Sequence, residues 1–179
     1  METINRKVML GDHPIFLEGR RPKPGLRLPN RFYANPARNA KKKLSIKEIQ
    51  KGLVILSTLP NVRSNACSQQ VLDLELALKG WEPKPKLFHI SVDPATDWVE
   101  IDELHPFLDS QGFTLSSVPK EISEEFSRKL GIKVKGNRRL AHGLFAFLDG
   151  ELILSYIPRQ QYGIPNIKGF LKKLKDFPV

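Results

Sequence analysis

Residues 53–79 read LVILSTLPNVRSNACSQQVLDLELALK. Leu53-Val-Ile-Leu56 is a short, continuous apolar run, the pattern of a central strand buried on both faces. Thr58-Leu59-Pro60 ends it, and a loop must follow. Beyond the loop Val71, Leu74 and Leu78 recur at helical spacing and Leu72 and Leu76 broaden the face, which predicts an amphipathic helix over Ala66 to Lys79. Gly80 terminates that helix, Pro83-Lys-Pro85 turns the chain, and Leu87-Phe-His-Ile-Ser91 supplies a second strand. A β-α-β unit results, with Cys67 in the first turn of its helix.

Working outward, Thr96 or Asp97 can cap a helix whose apolar face uses Trp98, Ile101, Leu104 and Leu108. Phe113-Thr-Leu115 reads as a short strand. Pro119, the acidic Glu121, Glu124 and Glu125, and the apolar Ile122, Phe126 and Leu130 predict a further helix ended by Gly131. Leu144 to Leu148, Asp149-Gly150 and Leu152-Ile-Leu154 form the clearest hairpin, because Asp-Gly accommodates the positive φ angles of a tight turn. A last helix is expected over Ile167 to Phe177. Toward the N-terminus, Lys7-Val-Met-Leu10 and Ile15-Phe-Leu-Glu18 flank Gly11-Asp-His-Pro14 as an appended hairpin. The Pro-, Arg- and Lys-rich stretch from Arg20 to Lys43 is expected to wrap the surface, anchored by Phe32-Tyr33. The order of elements predicts an α/β fold with a mixed central sheet flanked by helices, in a single domain over residues 1–179.

Composition narrows the function. With 40% apolar and 27% charged residues, the 179-residue chain can build one packed core. No apolar run approaches the ~20 residues that cross a bilayer, and no secretory signal is visible. A single cysteine rules out an intramolecular disulfide and suits a reducing cytoplasm. The formal charge of +10 would attract polyanions, but it is dispersed from Arg20, Arg21 and Lys23 through Lys41–Lys43 to Lys172, Lys173 and Lys175. With no nucleic-acid motif between them, these residues read as a solvated basic surface, and specific nucleic-acid binding is not expected. His13, His89, His105 and His142 make no compact metal-ligand pattern. No glycine-rich phosphate loop precedes a helix and no carboxylate pair has hydrolase context. His89, Phe88, Trp98 and Phe107 are explained by core packing.

Cys67 is the one nucleophile in a favourable setting. A thiolate is stabilised where backbone N–H groups and a helix N-terminus offset its charge. Ser64 stands three residues earlier, where its hydroxyl can bond the sulfur or a peroxide oxygen, and Pro60 can shape a pocket. Each has a plainer explanation: a buried small hydrophobe for Cys67, a helix cap for Ser64, a strand terminator for Pro60.

Pro60-x-x-x-Ser64-x-x-Cys67, directly after an apolar strand and entering a helix, resembles the active-site motif of the peroxiredoxins, and the wider pattern resembles their thiol-peroxidase subfamily. The resemblance takes in the hairpin from Asn5 to Gly19, Ile90-Ser-Val-Asp93-Pro, Phe126 to Gly131, and Phe147-Leu-Asp149 to Ile157-Pro158. It implies a thioredoxin-like fold and reduction of hydrogen peroxide or an organic hydroperoxide, with Cys67 as the peroxidatic cysteine, Ser64 its hydroxyl partner and Pro60 the pocket proline. It also implies no cofactor, an external thiol reductant such as thioredoxin, and a homodimer.

Two departures bear on that activity. Gly143 stands where the family places a pocket arginine, while Arg138 and Arg139 lie upstream. Either a shifted loop brings Arg139 or Arg63 to Cys67, or the site is weakened. Leu108 occupies the position matching the subfamily's resolving cysteine. The chain is therefore either a one-cysteine peroxidase or a diverged redox-sensing or binding protein of the same fold.

Overall fold

The computed structural model describes residues 4–177. Its strands are β1 (Asn5–Leu10), β2 (His13–Glu18), β3 (Tyr33–Arg38), β4 (Leu44–Ser45), β5 (Leu53–Thr58), β6 (Lys86–Ser91), β7 (Gln111–Thr114), β8 (Lys133–Val134), β9 (Gly143–Leu148) and β10 (Glu151–Tyr156). The α-helices are α1 (Ile46–Ile49), α2 (Asn65–Ala77), α3 (Val99–Leu104), α4 (Lys120–Lys129) and α5 (Ile167–Lys175), and a 3₁₀ turn over Ala95–Trp98 precedes α3.

A seven-stranded sheet runs β10-β9-β5-β6-β7-β3-β4, and a smaller one runs β1-β2-β8. The pairs β5–β6 and β6–β7 are parallel, whereas β9 is antiparallel to both β5 and β10. The expected mixed sheet, its β-α-β unit and the N-terminal hairpin are all present. Alternation along the strands divides the core. Ile55, Leu144 and Ala146 pack with Leu74 and Leu78 from α2 and its cap and with Phe170, Leu171 and Leu174 of α5. Val54, Leu56, Phe88, Phe145 and Phe147 face the other way and pack with Ile49, Phe32 and Phe126. Helices therefore cover both faces.

The segment from Arg20 to Lys43 does more than wrap the surface. Its β3 joins the main sheet antiparallel to β7, pairing Asn35 with Thr114 and Pro36 with Phe113. Proline cannot donate to a ladder and belongs at bulges or edges; the register shifts between Pro36 and Arg38. Just before β3, Phe32 stacks on Phe126 of α4 at 4.4 Å between ring centroids. Truncating a buried phenylalanine to alanine costs ~3–5 kcal/mol, so this segment is integral to the core.

The helix expected from Trp98 to Leu108 is shorter. Trp98 and Ile101 are buried, but α3 stops at Leu104, which is 57% exposed. Neither Thr96 nor Asp97 caps a helix here; Pro94 precedes the 3₁₀ turn without a side-chain bond. Leu108 is buried from a loop rather than from a helix. Arg38, only 5% exposed, holds that loop. Its guanidinium donates to the carbonyls of Leu108 and Ser110 at 2.6 and 2.7 Å and pairs with Asp102. Phe107, expected in the core, is instead 91% exposed.

Candidate active site

The loop after β5 delivers the chain to the N-terminus of α2. Ser64 is the N-cap, with extended φ/ψ of −81° and 148°, and its Oγ accepts the Cys67 N–H at 3.2 Å. Asn65, Ala66 and Cys67 are then the first three helical residues. An N-cap serine satisfies an otherwise orphaned helix donor, a contribution of ~1 kcal/mol. The capping role expected for Ser64 is thus present, and it brings the hydroxyl to Cys67.

The preceding loop is held from outside. Asp93, after β6, accepts the Val62 N–H on Oδ2 at 3.0 Å and the Arg139 guanidinium on Oδ1 at 2.9 Å. The same Arg139 nitrogen donates to the Pro60 carbonyl at 2.7 Å. One carboxylate therefore ties Arg139 to the loop that carries Pro60 and Ser64.

Cys67 has no exposed surface and packs among Leu59, Val62, Val71, Trp98, Ile101 and Leu108. Burial pushes its thiol above the ordinary value. The nearby Ser64 hydroxyl and Asn61 backbone favour the thiolate, Asp93 disfavours it, and Arg139 favours it again; burial prevails. The helix N-terminus supplies a further attraction for negative charge. The thiol is thus held protonated at rest beside groups that stabilise its ionised form.

A cavity of ≈ 730 Å³ opens beside this turn. Pro60, Asn61, Ser64 and Arg139 line it together with the apolar Leu10, Ile15, Leu140 and Ile164. Cys67 itself is not in that wall. The volume lies within the ~300–1,000 Å³ of typical small-molecule sites.

Of the arginines considered, only Arg139 reaches the site. Arg63 turns toward Asp97 and Glu100 at 3.7 and 3.6 Å, and Arg138 toward the Leu115 carbonyl. Gly143 pairs with Thr58 at the start of β9, where a Cβ would lie 2.6 Å from the Phe145 ring. That ring fills the space a longer side chain at 143 would need. Leu108 lies in the same apolar cluster as Cys67, so the expected position is near the thiol but carries a methyl-ended side chain. Asp93 was visible in the sequence only as part of a wider pattern; its role depends on a partner 46 residues away.

His89 and His142 are also buried near α2. The His142 ring meets Gln70 at 2.7 Å, Gln70 donates to Ser57 Oγ at 2.7 Å, and Ser57 meets His89 at 2.9 Å. This side-chain chain links the cavity wall to the sheet and had no signature in the sequence. Among the described residues no group of three His, Cys, Asp or Glu side chains is placed to hold a metal ion, and no helix is long and apolar enough to cross a membrane.

No protein-family model and no curated protein matches this sequence. Solved structures do. A peroxiredoxin-like protein from Aquifex aeolicus superposes with a TM-score of 0.77 at 16% identity, covering 98% of this chain and 99% of that one. A thiol peroxidase from Chromobacterium violaceum gives 0.77 at 16% identity over 95% of each chain. AhpC from Enterococcus faecalis gives 0.71 at 14% identity, over 86% of this chain and 91% of its own. At this identity the likeness is one of fold: the chain has the thioredoxin-like fold seen in peroxiredoxins and thiol peroxidases.

Proposed function

We propose that this chain, working as a single domain, is a thiol-dependent peroxidase that reduces hydrogen peroxide or organic hydroperoxides through Cys67. The observation that carries the proposal is geometric: Cys67 lies in the first turn of α2, its N–H capped by Ser64 Oγ, behind a loop that Arg139 and Asp93 pin through the Pro60 carbonyl and the Val62 N–H. In the reaction the Cys67 sulfur attacks one peroxide oxygen and forms an S–O bond while the O–O bond breaks. The thiol proton passes to the departing hydroxide or alkoxide, leaving a sulfenic acid and water or an alcohol. Ser64 and Arg139 can donate to the peroxide oxygens, where negative charge builds as the bond breaks. Pro60 closes one side of the site and limits water.

With one cysteine in the chain, the sulfenic acid is reduced from outside. A first external thiol forms a mixed disulfide and releases water, and a second resolves it and restores Cys67. A dithiol protein such as thioredoxin supplies both. The apolar wall beside Ser64 suits an alkyl hydroperoxide. We place the enzyme in the cytoplasm as a homodimer, whose interface would cover Val99, Leu104 and Phe107, exposed by 49%, 57% and 91%.

The full burial of Cys67 and its raised thiol pKa favour a second reading, in which the fold is kept for redox sensing or binding and turnover is weak. Peroxide consumption with a thioredoxin system, compared between wild type and Cys67→Ser, separates the two. Sustained consumption that vanishes in Cys67→Ser supports the peroxidase; equal background rates in both support the second reading.

A further inference from the structure

Gln70 has its amide orientation set by the backbone. Its Nε2 faces the Thr58 carbonyl at 3.3 Å as well as Ser57 Oγ at 2.7 Å. A carbonyl can only accept, so the NH₂ group lies on that side and Oε1 is turned to His142, 2.7 Å from Nδ1. Oε1 can only accept as well. The His142 hydrogen therefore sits on Nδ1, and Nε2 carries the lone pair.

The ring has little freedom to change this. The His142 backbone N–H donates to Gln161 Oε1 at 2.7 Å and its carbonyl accepts from Gln161 Nε2 at 3.3 Å, while that amide also bonds the Pro158 carbonyl. Burial lowers the imidazole pKa to about 4, so it is neutral at physiological pH. Among the described residues the buried side-chain polar atoms left without a partner are His89 Nε2 and Ser110 Oγ. His142 Nε2 is not one of them and has no protein partner, so it keeps some accessible surface, and His142 is among the residues that line the cavity.

We propose that His142 is the polar anchor of this cavity, a fixed hydrogen-bond acceptor that selects an apolar ligand bearing a hydroxyl or hydroperoxyl group. The inference rests on the peroxidase reading only in taking the hydroperoxide as the physiological ligand. An O–H group donates to Nε2 while its carbon skeleton lies against Leu10, Ile15, Leu140 and Ile164. A carboxylate of the same shape has no hydrogen to offer and meets lone pair with lone pair. A hydrocarbon leaves Nε2 unpaired. Sites built around one polar contact reject ligands that cannot complete it.

The test is binding without turnover, using the full chain and three probes built on one 2-phenylpropane skeleton, 2-phenylpropan-2-ol, isopropylbenzene and 2-methyl-2-phenylpropanoate, titrated by NMR. The alcohol is expected to bind at least tenfold more tightly than the other two. His142→Phe, which keeps a ring but removes the acceptor, is expected to lose that preference while still binding the hydrocarbon. An unchanged preference in His142→Phe overturns the proposal. So does wild type that binds none of the probes at millimolar concentration, or that favours hydrocarbon or carboxylate, and this holds even where the variant fails to fold. Selective alcohol binding with no oxidation of Cys67 by peroxide would keep this inference and remove the peroxidase reading. Rapid oxidation with unselective binding would do the reverse.

Discussion

On the proposed peroxidase reading, Arg139, held in place by Asp93, is the residue that would separate a reactive Cys67 from an ordinary buried thiol. Burial alone would leave Cys67 inert, and Arg139 is the cation acting on it through the loop that Asp93 fixes. A charge-assisted contact that acts in the transition state is worth ~1.5–3 kcal/mol, a factor of tens in rate. Arg139→Ala is therefore expected to slow Cys67 oxidation by roughly tenfold or more, with Arg139→Lys intermediate, in a stopped-flow measurement with hydrogen peroxide. Equal rates in the three proteins would contradict a role for the guanidinium. Pro60, Ser64 and Cys67 were legible because a loop and one helical turn place them together by local geometry. The choice between Arg63 and Arg139 was not, since it is decided by which acid each arginine meets: Asp97 and Glu100 for the first, Asp93 for the second.

At the level of elements, local pattern served where periodicity and turn chemistry agreed. The β5-α2-β6 unit and the β9-β10 hairpin were legible from apolar runs and from Asp149-Gly150, both of which have positive φ. Strand β3 was hidden because Pro36 breaks the strand pattern; the bulge beside it is a tertiary accommodation that no local signal announces. The end of α3 was misplaced for a related reason. Leu104 and Leu108 keep helical spacing, yet Arg38 recruits the carbonyls of Leu108 and Ser110 and stabilises a loop in place of another helical turn. A buried arginine satisfied by carbonyls is a long-range arrangement. The consequence reaches the candidate site, because that loop packs Leu108 into the cluster around Cys67.

For the whole molecule, the two buried histidines couple stability to pH. Burial lowers His89 to about 3, with Arg38 adding to the effect, and lowers His142 to about 4. The unfolded chain takes up these protons near pH 6.5 while the folded chain does not. Their contribution is complete above that pH and is lost as pH falls toward the folded values, by at most ~1.4 kcal/mol per pH unit for each histidine. In Glu18 and Glu48 partial burial is outweighed by bonds from Lys133 and Ser45; these carboxyls are lowered and act at more acid pH. Urea unfolding at pH 7 and pH 5 should therefore show wild type losing stability and His89→Gln losing less. An identical loss in both would place the pH dependence elsewhere.

If the fold brings Cys67 into a setting where it reacts with peroxide, the first product is a sulfenic acid on that residue. Intact-mass analysis after rapid mixing with stoichiometric hydrogen peroxide, with a sulfenic-acid trap and Cys67→Ser as control, tests it most directly. A single-oxygen or trapped adduct is expected on wild type, absent from Cys67→Ser, forming at least tenfold faster than on a free cysteine thiol at the same pH. Oxidation no faster than that of free cysteine would contradict the peroxidase reading and leave a peroxidase-like fold holding a protected thiol.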